Sequence, residues 1–97
     1  MPSYEEIVDD LCAQNAHVET GKMFGMACFK ANGKAAGGSW QGDMVFKLTD
    51  PAVRERALAI DGAHAFDPMG GRPMREWVVV PSAQAAHWAE LAEAAIA

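Results

Sequence analysis

No stretch of this chain approaches the roughly 18 uncharged apolar residues that a membrane-spanning helix needs. Its opening residues, MPSYEEIVDD, lack the basic start and apolar run of a secretory signal. Cysteine is scarce: Cys12 and Cys28 are the only two, and neither belongs to a CxxC. That is too few for a disulfide-stapled mini-domain and fits free thiols in a reducing compartment. Bases are also few, eight against thirteen acids, giving a net charge of −5. A domain that binds chiefly by neutralising phosphates usually runs strongly basic. The expectation is a cytoplasmic protein of one domain, with no membrane contact.

Catalytic raw material is equally thin. Of the three serines, Ser3 and Ser82 stand where helix caps are expected, and Ser39 lies in Gly37-Gly38-Ser39-Trp40, without GxSxG spacing. Cys12 falls on an apolar helix stripe. Cys28 shares its strand parity with Phe24 and Met26, an apolar setting that raises a thiol pKa and makes it unreactive. His17, His64 and His87 fall in separate elements, and Asp61-x-x-His64-x-x-Asp67 is the one acid–histidine cluster. Neither a metal site nor a cofactor site is expected.

What the chain does contain is regular. Ser3-Tyr4-Glu5-Glu6 is a capping box, and Tyr4, Ile7, Val8, Leu11 and Cys12 recur at helical spacing, predicting a helix over 4–16. Met23–Ala31 reads as a strand. Asn32-Gly33 then supplies the two positive-φ positions of a tight hairpin turn. Lys34–Gln41 follows, with Gly37-Gly38 suited to a bulge. A turn at Gly42-Asp43 leads to a strand over Met44–Leu48. Asp50-Pro51 opens a second helix as N-cap and N1, with Val53, Ala57, Leu58 and Ile60 on its inner side. His64–Asp67 and Arg75–Val80 read as two more strands. Pro81 stops the last, and Ser82 caps a third helix with the stripe Ala85, Trp88, Leu91, Ala92, Ala95 and Ile96.

The expected fold is therefore α+β in two layers: a five-stranded antiparallel sheet with three helices, in the order α-βββ-α-ββ-α. The strands are unusual in being apolar at both parities, Met26 and Cys28 alternating with Ala27 and Phe29, and Trp77 and Val79 with Val78 and Val80. Either helices and loops wrap both faces, or one face meets a partner, most simply a second copy.

Two stretches stand out for binding. DPMGGRPM, Asp67 to Met74, carries Gly70-Gly71 and Arg72. A strand follows it where a phosphate loop would need a helix N-terminus. A turn is the simpler reading, and a small anion held by a backbone nest and Arg72, walled by Trp40 or Trp77, is the alternative. Charge is also uneven along the chain. Residues 1–20 carry five acids and no base, whereas 21–48 carry Lys22, Lys30, Lys34 and Lys47 against Asp43 alone. Lysines on edge strands discourage unwanted pairing. The same lysines around a hairpin, Lys30, Lys34 and Lys47 above all, would also suit nucleic acid.

Several short motifs fall in a telling order: Met23-Phe24-Gly25, Asn32-Gly33-Lys34, Phe46-Lys47-Leu48, and Pro73-Met74-Arg75-Glu76-Trp77 through Val80-Pro81. Over about residues 4–95 the chain resembles the N-terminal domain of the TfoX/Sxy family of bacterial competence regulators and, more distantly, the YjbR family. The resemblance implies a single TfoX N-terminal-like domain over 1–97, without the helical C-terminal domain of longer members. It implies an α+β fold and carries over no catalytic residue. The functional expectation is a small, non-enzymatic regulatory or protein-interaction domain that self-associates or binds a protein partner. Nucleic-acid binding through the lysine-bearing hairpin is the alternative, and anionic-ligand binding near Asp67–Arg72 is a further one.

Overall fold

The computed structural model describes residues 3–23, 25–67, 70–71 and 74–96. Its elements are α1 (Tyr4–Gln14), β1 (Val18–Met23), β2 (Met26–Ala31), β3 (Lys34–Trp40), β4 (Asp43–Lys47), α2 (Pro51–Leu58), β5 (His64–Phe66), β6 (Met74–Val80) and α3 (Trp88–Ile96), with a 3-10 helix over Ser82–His87 leading into α3. The strands form one antiparallel sheet of six in the order β1-β2-β3-β4-β6-β5. The α+β class and the three α-helices are as the sequence suggests, but the strand count is six, not five. The addition is β1. Its sequence, VETGKM, has no apolar alternation to announce it, and the long strand read over Met23–Ala31 is broken at Gly25, whose φ is +74°.

Local chemistry explains most boundaries. The Ser3 hydroxyl accepts from Glu6 N–H at 3.2 Å, and Asp50 Oδ1 accepts from Ala52 N–H at 2.9 Å, so both expected caps form. Asn32 and Gly33 take φ of 54° and 79°, as the tight β2–β3 turn requires. Two details differ. Ser82 makes no side-chain cap; its N–H donates instead to Asp43 Oδ1 at 2.8 Å, tying the end of β6 to the start of β4. Leu58 is 41% exposed rather than inward-facing, because α2 ends there after eight residues and Ala57 supplies its buried contact.

All three helices lie on one face of the sheet. Ile7, Val8 and Leu11 of α1, Ala57 of α2, and Trp88, Leu91, Ala92 and Ile96 of α3 share a core with Phe29, Met44, Phe46, Val78 and Val80. The Trp88 indole N–H donates to the Val80 carbonyl at 3.1 Å, which gives this buried ring its polar partner. The opposite face carries a smaller cluster of Met26, Val45, Phe66, Trp77 and Val79, with Ala35 and Trp40 packed on it. Both strand parities are thus consumed inside one chain. The side chains of the second face bury one another, and Leu58 is the one exposed large hydrophobic among the described residues.

The two faces are separated by two adjacent glycines of β3. A Cβ on Gly37 would lie 2.5 Å from Phe29 Cζ and 2.5 Å from the Val45 carbonyl oxygen, and one on Gly38 would lie 2.6 Å from the Ala27 carbonyl oxygen and 3.0 Å from Met26 Cε. The β2–β3 register shifts beside them, Phe29 pairing with Gly37 but Lys30 with Ala35. The extra residue is Ala36, so the irregularity falls one position before the Gly-Gly pair expected to carry it, and both glycines stay in register with β2. Gly37→Ala must push backbone or the Phe29 ring aside. We expect it to lower stability by about 2 kcal/mol, read as a lower urea midpoint at unchanged slope.

Candidate functional site

The predicted binding residues are divided by the fold into three places. Lys34, at the start of β3, and Lys47, at the end of β4, line one shallow cleft of about 250 Å³ together with Asn32, Thr49, Ala95 and Ile96. The hairpin turn and the last turn of α3 form its walls. No described residue makes an ion pair with either ammonium group, so the cleft presents two cations, an amide and a hydroxyl.

Lys30 does not join them. It sits in the middle of the β1–β2 ribbon, directly across from Glu19, yet makes no ion pair with it. Its chain leans over Gly21: Lys30 Cε and Nζ lie 2.9 and 3.3 Å from where a Gly21 Cβ would stand. The absent side chain at Gly21 is what gives Lys30 this path. The same side of the ribbon holds Cys28, whose Sγ is 3.7 Å from that point.

Trp77 belongs to the second-face cluster, and Trp40 packs half-buried against it. Trp40 meets Phe66 edge-on with centroids 5.3 Å apart, and Phe66 meets Trp77 at 6.4 Å. Trp77 is only 7% exposed. Arg72 lies outside the described residues. In its loop, Gly70 and Gly71 take the expected positive φ, 71° and 103°, but the Gly71 N–H is already donated to Asp67 Oδ2 at 2.8 Å. An internal carboxylate therefore occupies a donor that an anionic ligand would use.

Sequence reasoning missed a groove of about 210 Å³ between α2 and the start of α3, where Arg56, His87 and Glu90 border an apolar floor of Val53, Ala57, Ile60 and Leu91. No short-range motif could reveal it, since its charged residues come from elements about thirty positions apart and meet only because both helices pack on one face of the sheet. The acid–histidine cluster does not assemble. His64 Nδ1 turns to the Gly62 carbonyl at 3.2 Å, and among the described residues no three His, Cys, Asp or Glu side chains converge as a metal site.

Two groups have shifted ionisation. Burial pushes the Tyr4 phenol upward, reinforced by Cys28, Glu5 and Cys12, and its hydroxyl is buried with no hydrogen-bond partner among the described residues. Burial also raises the Cys28 thiol, an effect that Lys30 partly offsets. A raised thiol pKa means less thiolate at any given pH than a free cysteine has. Cys28, at 0% exposure, should react with a thiol reagent at pH 8 about a hundredfold more slowly than half-buried Cys12, at a rate set by opening of the sheet. Mass-resolved alkylation, native against denatured, measures this.

No family model matches the chain, and neither the curated proteins nor the solved structures compared with it yield a match.

Proposed function

We propose that this chain is a small, non-enzymatic interaction domain that works by self-association. One observation carries the reading: β1 stands at the edge of the sheet with its outer side open. The backbone N–H groups of Thr20 and Lys22 have no partner among the described residues, and Glu19, Thr20 and Lys22 are exposed. An unpaired strand edge is a template for a further strand. The opposite edge, β5, is only three residues long, the shape proteins use to blunt an edge. The resemblance of the strand motifs to the TfoX/Sxy N-terminal domain, to which no catalytic residue attaches, supports the same reading. Sedimentation velocity between about 10 µM and 1 mM, a range suited to weak interfaces, should show a rising average mass. A single monomeric species throughout would sink the proposal.

A second reading rests on the cleft at the other end of the hairpin. Lys34 and Lys47, both unpaired among the described residues, border it with Asn32 and Thr49. This is a place for a phosphate of single-stranded nucleic acid. Two such contacts predict binding that falls about sevenfold between 50 and 200 mM salt. Lys34→Glu with Lys47→Glu should abolish it. Fluorescence anisotropy with a labelled oligonucleotide that shows no binding at low salt, or binding indifferent to these changes, removes this reading.

A further inference from the structure

The self-association reading leaves open which register two copies would take, and β1 constrains it closely. The His17 carbonyl accepts from Asn32 N–H at 3.0 Å, and the β1–β2 pairing runs without a shift from Val18↔Ala31 to Met23↔Met26. In an antiparallel pair the bonded positions alternate. Positions 17, 19, 21 and 23 therefore bond inward to β2, and Val18, Thr20 and Lys22 turn their backbone groups outward. Val18 N–H is taken by the Asn15 carbonyl at 3.1 Å. The outward donors that remain are Thr20 and Lys22.

We infer that two copies of this chain join through β1, antiparallel, with Thr20 on the two-fold axis, and that Glu19 of each copy pairs with Lys30 of the other. This rests on the self-association reading and goes beyond it by fixing edge, register and contacts. An isologous strand pair must match outward positions with outward positions, which leaves three central registers. Centred on Glu19, the pair sets two carboxylates face to face. Centred on Gly21, it brings together the two Lys30 ammonium groups that lie over the two glycines. Centred on Thr20, it sets each Glu19 opposite the other copy's Gly21, over which Lys30 already leans, its Nζ 3.3 Å from where a Gly21 Cβ would stand.

Only the Thr20-centred register joins opposite charges, and it satisfies all the free donors. The two Thr20 residues exchange N–H and carbonyl, and each Lys22 N–H meets the partner's Val18 carbonyl. The bare backbone of Gly21 lets Lys30 lie over it, so the incoming Glu19 carboxylate meets the Lys30 ammonium group there. The posture of Lys30, turned away from the Glu19 directly across from it in its own chain, leaves both charges available to a second copy. Two six-stranded sheets would become one of twelve strands.

A charge-exchange experiment tests this. Glu19→Lys alone sets Lys against Lys at two symmetric contacts, and Lys30→Glu alone sets Glu against Glu. Each homodimer should weaken about tenfold. An equimolar mixture of the two variants restores both contacts and should dimerise about as well as the unaltered chain. A mixture no tighter than either variant overturns the register. Independently, Thr20→Cys in a Cys12→Ser background should crosslink across the axis on mild oxidation, since facing bonded residues lie about 5.5 Å apart. Lys22→Cys, which faces Val18 and not itself, should not. Crosslinking of neither, in a chain that still dimerises, overturns the edge assignment while leaving self-association standing; a chain monomeric at every concentration overturns both.

Discussion

The contact between the Phe29 ring and the bare backbone of Gly37 is the constraint around which this domain is arranged. It places the Phe29 ring of β2 against the neighbouring strand, with no room for even a methyl group between them. The next residue, Gly38, does the same on the opposite face for Met26 and Cys28. One pair of glycines thus serves two cores. The helical layer closes over Phe29, Phe46 and Val78. The second face draws Met26, Val45 and the aromatic group of Phe66, Trp40 and Trp77 into a cluster of its own. A small chain has little apolar surface to bury, and filling both sides of one sheet is how this one gains more.

That economy shapes what is left for function. With both faces consumed, Trp77 is enclosed and Trp40 is half-buried against it through Phe66, and the thiol most enclosed by the sheet is shielded. What stays available is peripheral: the open edge of β1, the lysine pair at the end of the β2–β3 hairpin, and the groove between α2 and α3. The buried hydroxyl of Tyr4, without a partner among the described residues, costs stability within the core, and the same burial disfavours the charged phenolate.

Much of the fold was legible because its signals are local. Ser3 and Asp50 cap helices through bonds to residues two or three positions away, and Asn32-Gly33 turns the chain wherever it occurs. The stripe of Trp88, Leu91, Ala92 and Ile96 needs only helical geometry to become a face. β1 was not legible. Val18, Glu19, Thr20, Gly21 and Lys22 carry little apolar alternation, because an edge strand buries little and owes its existence to the neighbour that pairs with it. Leu58 misled for a related reason: helical spacing places a residue on a face, but the length of α2 decides whether that face still meets the sheet.

The candidate site divides the same way. Composition and order along the chain determined that lysines gather around the hairpin and that Gly70-Gly71 turns with positive φ, since both follow from residue type alone. Only the tertiary structure decided that Lys34 shares a cleft with Lys47 while Lys30 leans over Gly21 on the far side of the ribbon. Only it showed that the Asp67 carboxylate takes the Gly71 N–H. These depend on register, and register is fixed by pairing between strands and by how the two glycines of β3 let those strands approach. A sequence specifies each strand's residues; which of them become neighbours is a property of the packed sheet.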